Sequence, residues 1–274
     1  MKKLLLFGFI CSLITVFSCN KGNEDYSNLR GEILKEWRIP LRAVNVNPIP
    51  TNRTDTGELI LQLTDKNNLT YQYNITDLQN GDFITGAGLY TGDPLTNGQL
   101  LLDFAPRLAP TYGSRSLYDI RQSLVDSLLN PSTDLYVLIT STQFPNGLLR
   151  TQLHNEVVFS TDVRLTGANE VPPVNTTATG LASLRLTKNR ILYSKVTVTN
   201  VEPNDNLTAA HIHTGATGVN GPVLIGLASS AADFGVTKTT NLTEALYNSV
   251  LNDRLYVNVH STLHPAGIIR GQIR

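Results

Sequence analysis

The chain has 274 residues, which is enough for one large domain or for two of ordinary size. Its 22 lysines and arginines balance its 22 aspartates and glutamates, so no overall positive charge attracts nucleic acid, and no nucleic-acid partner is expected. The only cysteines are Cys11 and Cys19, which excludes a disulfide, a cysteine metal site and a cysteine nucleophile from the rest of the chain.

Residues 1–19 have the pattern of a bacterial lipoprotein signal peptide. Two lysines near the start precede an apolar stretch that is too short for a comfortable membrane span. Ser18 directly before Cys19 resembles the end of a lipobox, which implies cleavage before Cys19 and its acylation. We therefore expect an exported cell-envelope protein that is located at the outer membrane. Acylated Cys19 would anchor it there, and residues 20–29 would form a flexible tether. An ordinary signal peptide, in which Cys19 has no such role, is the alternative.

The rest of the chain contains two copies of one unit. Residues 255–273 match residues 135–153 at nine of nineteen positions with a constant offset of 120. Upstream, the match continues at an offset of 123. Self-similarity of this kind predicts a tandem repeat, with a first domain at residues 30–154 and a second domain at residues 155–274.

Each unit has the pattern of a β-rich domain. Residues 59–63 and 194–199 alternate between apolar and polar side chains, which predicts half-buried strands. One helix is predicted before the last strands, at residues 116–129 in the first unit and after a capping box of Asn241 and Glu244 in the second. We therefore predict an all-β fold, with two tandem antiparallel β-sandwich or barrel domains that each contain one short helix before the final strands.

Four of the five histidines lie in the second unit, at two places. His211 and His213 project from the same face of a strand, and His260 points away from the core side of another. If these strands are neighbours, three imidazoles converge on a site that suits copper or zinc, and His264 lies in the following turn. These four histidines are the candidate metal ligands. Alternatively, they are exposed or hydrogen-bonded residues that position the glycine-rich loop at residues 215–222.

Comparison of the two units separates shared residues from changed ones. At the positions of the four histidines, the first unit has Gly88, Tyr90, Thr140 and Phe144. Four polar residues are shared, and we interpret them as strand-pairing or ion-pair residues: Arg150, Gln152, Arg270 and Gln272. The shared residues indicate a common scaffold, so a metal site is expected in the second domain alone.

Residues 210–223 and 256–273 resemble the two motifs of the CHRD domain, first described in chordin. The second unit resembles this family over nearly its whole length, and the first unit resembles a divergent copy. The resemblance implies an all-β extracellular domain, common in exported bacterial proteins, without an established molecular activity. The His-x-His pair is also similar to that of copper–zinc superoxide dismutases, in which His211, His213 and His260 would correspond to copper ligands. However, the cysteine pair and the zinc loop of the dismutases have no counterpart here.

The sequence contains no motif of a known catalytic class, and no catalytic or cofactor-binding residue is assigned. A non-catalytic binding or structural module of the cell envelope, with an unidentified protein or surface partner, is therefore the first hypothesis. The alternative is a copper- or zinc-binding domain with the three-histidine site, for which redox chemistry is an option.

Overall fold

The computed structural model of the chain describes residues 31–104 and 111–274. The predicted signal peptide, Cys19 and the tether lie outside the described residues. Within the described part, no helix has the length and apolar character needed to cross a bilayer. The fold is all-β, as predicted, with one antiparallel sheet in each half of the chain that curls towards a barrel.

The sheet of the first domain has the order β5-β4-β7-β8-β1-β2-β3-β6. Its strands are β1 (Ile33–Arg42), β2 (Thr56–Thr64), β3 (Leu69–Ile75), β4 (Ile84–Thr91), β5 (Leu100–Asp103), β6 (Tyr112–Leu117), β7 (Leu135–Ser141) and β8 (Leu149–Gln152). Helix α1 (Gln122–Leu129) connects β6 to β7. The predicted strand at residues 59–63 lies within β2, where its leucines are buried because the side chains alternate between the two faces.

The sheet of the second domain repeats this topology, with the order β13-β12-β15-β16-β9-β10-β11-β14. Its strands are β9 (Val157–Thr166), β10 (Thr179–Thr187), β11 (Ile191–Thr199), β12 (Leu207–Thr214), β13 (Val223–Ala228), β14 (Lys238–Asn241), β15 (Leu255–Ser261) and β16 (Ile269–Gln272). Helix α2 (Glu244–Asn252) connects β14 to β15. Strand β11 includes the predicted strand at residues 194–199, and β12 and β15 are neighbours in the sheet.

Both helices begin later than the sequence predicts. In the first domain, residues 116–117 belong to β6, because Ser116 pairs with Thr70 of β3. In the second domain, Asn241 ends β14, and the side chain of Thr243 caps α2 by accepting a hydrogen bond from the N–H of Leu246. The predicted capping box at Asn241 is therefore wrong. In both domains, residues that the local sequence assigns to the start of the helix instead pair with a neighbouring strand as part of an edge strand.

Hydrogen bonds connect the two domains. Arg185 of β10 is fully buried, donates from Nη2 to the carbonyl oxygen of Val46 at 3.0 Å, and forms an ion pair with Asp162 at 2.8 Å. The N–H of Ile49 donates to the carboxylate of the same Asp162 at 3.2 Å. Domain two therefore covers the segment of domain one that follows β1.

Candidate metal centre

The register of β12 and β15 places the histidines on one face of the sheet. Ile212 pairs with Val257, and both side chains are fully buried in the core of the second domain. Because successive side chains of a strand point to opposite faces, His211, His213 and His260 project away from this core. The arrangement expected from the sequence is thus present.

The three imidazoles form a compact cluster. One candidate ligand atom from each of His211, His213 and His260 lies within 4.8 Å of the other two. The ring centroids of His211 and His260 are 5.0 Å apart, and that of His213 is 5.7 Å from the ring of His211 and 6.1 Å from the ring of His260. Three nitrogen ligands of a tetrahedral zinc ion are about 3.4 Å apart, so metal coordination requires the rings to approach one another by about 1 Å.

Two of the rings are oriented by backbone carbonyl groups. His213 Nδ1 lies 3.0 Å from the carbonyl oxygen of Gly221, and His260 Nδ1 lies 3.1 Å from that of Pro265. A neutral imidazole that donates through Nδ1 carries its lone pair on Nε2. Within residues 31–104 and 111–274, no group hydrogen-bonds to either buried Nε2 atom or to Nδ1 of His211. The cluster therefore presents three buried nitrogen atoms with no hydrogen-bond partner, and those of His213 and His260 are acceptors.

The surroundings of the cluster favour neutral imidazoles. Burial lowers the pKa of His211, and the positive charges that His260 and His213 would carry lower it further. Burial also lowers the pKa of His260, and the hydrogen bond to Pro265 opposes this shift. Neutral imidazole is the form that binds a metal ion, so His211 and His260 need little deprotonation before they can act as ligands at neutral pH.

A shared clamp holds the glycine-rich loop over the cluster. The guanidinium group of Arg270 lies 3.4 Å from the ring centroid of Tyr256 and donates to the carbonyl oxygens of Ala216 and Val219, at 3.2 and 2.9 Å, and to Asn220 Oδ1 at 3.0 Å. The hydroxyl of Tyr256 accepts a hydrogen bond from the N–H of the loop residue Gly221. This clamp fixes the carbonyl oxygen that orients His213.

The first domain has the same clamp without the histidines. Arg150 lies 3.5 Å from the ring centroid of Tyr136 and donates to Asp93, Thr96 and Asn97 of its own glycine-rich loop. Both arginines lie in paired strands, as one of the two interpretations expected, and their side chains bind the loops through carbonyl and amide oxygens instead of forming ion pairs.

The ring that stacks on the clamp tyrosine differs between the two domains. Tyr90 stacks on Tyr136 with a centroid distance of 5.3 Å, and His213 stacks on Tyr256 with a distance of 4.9 Å. The fold accepts either side chain at this position, so the imidazole of His213 is not needed to build the clamp.

His264 has a different role from the other three histidines. It is not a member of the cluster, and its backbone closes a turn through two hydrogen bonds with Ser261. Phe144 makes the same two backbone bonds with Ser141 in the first domain. Since the turn forms without an imidazole, the structure gives His264 a backbone role and places its side chain outside the site.

A cleft of about 700 Å³ opens beside His211. It lies between β12 and β13 on one side and the segment that leads into β14 on the other. Its other lining residues include Ser229, Asp233, Thr237, Lys238, Thr239 and Thr240. The cleft gives a small ligand access to the edge of the histidine cluster.

Two polar residues next to the cluster were not found from the sequence. Glu170 and Asn258 are 5% and 4% exposed, and burial raises the pKa of Glu170 to about 7 despite the opposing charge of Arg270. Comparison of the two units could have found Asn258, because the first domain has Leu138 at the offset of 120. It could not have found Glu170, which falls on Asn47 at the offset of 123, and only the structure shows that Val46 takes its place after the matching short 3-10 helix.

Comparison with known proteins supports the relationship suggested by the motifs. The model of the CHRD domain family matches residues 37–153 and residues 161–273, which together form more than half of the chain. A search of curated proteins found no match, and a search of solved structures found none either.

Proposed function

Because the chain belongs to the CHRD domain family, with two tandem copies, we propose that it is a binding module of the cell envelope whose second domain captures a copper or zinc ion. Tandem CHRD domains indicate a binding or structural module. The observation that supports the finer proposal is the cluster of His211, His213 and His260, with one candidate ligand atom of each within 4.8 Å of the others.

The cluster suits a metal ion better than it suits a purely structural role. Burial of an imidazole nitrogen without a hydrogen-bond partner costs free energy, and each of the three rings of the cluster has one such atom. One divalent cation can satisfy all three lone pairs, with the carbonyl oxygens of Gly221 and Pro265 as the outer partners that orient the rings. Three histidine ligands leave a fourth position open, on a cluster whose edge borders the cleft beside His211.

The first domain supplies test substitutions that this fold accepts. Loss of a group that hydrogen-bonds to a metal ligand typically lowers metal affinity by roughly 10–100-fold. Loss of a ligand itself should lower it more, so we expect His211→Gly, His213→Tyr and His260→Thr each to weaken zinc and copper binding by more than this factor. Isothermal titration calorimetry measures the affinities, and elemental analysis of the metal-loaded protein measures the stoichiometry. Copper should bind more tightly than zinc, because affinity at nitrogen sites follows the Irving–Williams order.

The matched control is His264→Phe, which also introduces the residue of the first domain but lies outside the cluster. It should bind zinc as wild type does. A triple variant combines His211→Gly, His213→Tyr and His260→Thr. Equal metal content in wild type and this triple variant would refute metal binding at this site. A loss in His264→Phe as large as the losses in the cluster variants would show that the cluster has been assigned incorrectly.

We also propose that the protein is anchored to the membrane through acyl chains on Cys19. The support is the signal-peptide pattern of residues 1–19, with a small residue directly before Cys19. Mass spectrometry of the mature protein should find the N-terminus at an acylated Cys19, and Cys19→Ser should lack the acyl mass and leave the membrane fraction. An unmodified mature wild-type protein would refute the anchor.

A further inference from the structure

Two buried oxygen acceptors face the same point beside the histidine cluster. A Cβ built on Gly267 would lie 2.5 Å from Asn258 Oδ1, 2.7 Å from Asn258 Nδ2 and 2.8 Å from Glu170 Oε1, so the amide and the carboxyl both approach this position closely. The amide nitrogen donates to the carbonyl oxygen of Ala266 at 3.4 Å, which leaves the two oxygens without a donor in the described part of the chain. Two acceptors cannot satisfy each other, and a buried carboxylate without a donor is costly.

The first domain shows that the fold does not need these polar groups. The equivalent of Gly267 is Gly147, where a Cβ would instead meet side-chain carbons of Val46 and Leu138. The same turn thus packs on two apolar side chains in one domain and on a carboxyl and an amide in the other. The polar pair occurs in the domain that also has the three histidines, so its explanation lies in the site and not in the scaffold.

A proton on the carboxyl resolves the conflict between the two acceptors. Protonated Glu170 has an O–H that can donate to Asn258 Oδ1, which turns two acceptors into a hydrogen-bonded pair. Burial raises the pKa of Glu170 to about 7, and Arg270 on β16 is the charged group that opposes this shift. The carboxyl therefore keeps its proton at a pH where an exposed glutamate is ionised.

The pair is connected to the histidine cluster through the sheet and the loop. Asn258 is the cross-strand partner of His211 and lies two residues before His260 on the same face of β15. The carbonyl of Val171, next to Glu170, accepts a hydrogen bond from Asn220 of the glycine-rich loop. The titratable and charged groups on this face thus include the three imidazoles, Glu170, Tyr256 and Arg270.

We propose that Glu170 is the proton-releasing partner of the three-histidine site, and that it ionises when a divalent cation binds there. The O–H bond of Glu170 breaks, the electron pair stays on the carboxylate, and the proton passes to the solvent. The new negative charge offsets part of the charge that the cation adds to a buried patch already containing Arg270. Metal capture consequently becomes stronger as the pH rises through neutrality. This inference rests on the proposed metal binding.

The test counts the protons released when zinc alone binds to the full chain. Calorimetric titrations at about pH 6.5, in buffers of different ionisation enthalpy, give this number for wild type and for Glu170→Gln. With a pKa of about 7, roughly three quarters of the carboxyls are protonated at this pH, so the variant should release that much less. Protons from the histidines are common to both proteins and cancel in the difference. Glu202→Gln, which removes an exposed carboxyl of the same domain, is the matched control and should release as many protons as wild type.

The outcomes separate this inference from the proposed function. Zinc binding by both proteins with equal proton release would overturn the role of Glu170 and leave the metal site standing. Absence of zinc binding by wild type would overturn both. Carbon-13 NMR titration of the metal-free wild type is a second measurement that does not depend on a variant. It should show the Glu170 carboxyl titrating near neutrality, and an ordinary glutamate pKa would overturn the inference.

Discussion

The clamp of the glycine-rich loop makes a quantitative prediction. Arg270 donates three hydrogen bonds to loop oxygens and stacks on Tyr256. Arg270→Lys keeps the charge but cannot reproduce the planar fork, so at least two of these bonds are lost. Hydrogen bonds to charged groups contribute about 1.5–3 kcal/mol each, and water can replace part of that at an exposed loop. We therefore expect the second domain to lose about 2–4 kcal/mol of unfolding free energy.

The same substitution should weaken zinc binding by about 10–100-fold, because the loop carbonyl that orients His213 is no longer fixed. Urea denaturation followed by circular dichroism measures the stability, and calorimetry measures the affinity. Arg150→Lys is the matched control, since it removes the equivalent clamp of the first domain. The sole tryptophan, Trp37, is buried in that domain, so its fluorescence reports the unfolding of the first domain separately.

The two variants together can refute the reasoning. Arg150→Lys should lower the midpoint of the Trp37 transition and leave zinc affinity unchanged. Arg270→Lys should leave the midpoint of the Trp37 transition unchanged and weaken zinc binding. A stability loss under about 1 kcal/mol in Arg270→Lys, with unchanged zinc affinity, would show that the clamp does not hold the site. An equal loss of zinc affinity in both variants would show that the effect does not pass through the loop.

Three further predictions concern the second domain. Thr243→Ala removes the cap of α2 and should cost about 1 kcal/mol in urea denaturation, with no change in zinc affinity. Gly221→Ala places a Cβ against a backbone carbonyl oxygen and should destabilise the domain, whereas Gly226→Ala, which meets open space, should stay within about 0.5 kcal/mol of wild type. In Glu170→Gln, where the histidines are the remaining titrating groups of the site, calorimetry against pH should show protons competing with zinc only at more acidic pH than for ordinary histidines, because the pKa values of His211 and His260 are lowered.

The fold was largely predictable from the sequence, because the alternation of side chains within strands and the internal repeat can both be recognised in the sequence itself. The two strands with the clearest alternation lie within β2 and β11. The helix starts were not predictable in the same way. Ser116 and Asn241 look like helix-forming or capping residues, but each pairs with a neighbouring strand that is distant in sequence. Local propensity cannot detect such a pairing, which depends on the assembled sheet.

Only the residues of the candidate site that lie on strands could be predicted, because strand periodicity determines the face to which their side chains point. His211, His213 and His260 converge because alternation fixes the face of each side chain and the strands are neighbours. Glu170 precedes β10 and reaches the site through the folding of a segment after β9, so no periodicity points to it. His264, which its closeness in sequence to His260 made a candidate ligand, is not a member of the cluster of three, and its backbone hydrogen-bonds to Ser261 in the turn.

The surroundings of the segment that follows the first strand of each domain explain why only the second copy carries a buried carboxyl there. In the first domain, the carbonyl of Val46 accepts a hydrogen bond from the buried Arg185 of the second domain, so the segment after β1 is covered. The side chain of Val46 is itself buried and lies with that of Leu138 at the turn of Gly147, so a carboxyl side chain at this position would be buried among apolar groups. The equivalent segment of the second domain instead carries Glu170 beside the glycine-rich loop. Val46→Glu should therefore destabilise the first domain without creating a metal site, and thermal unfolding of this variant, followed by the fluorescence of Trp37, measures the loss.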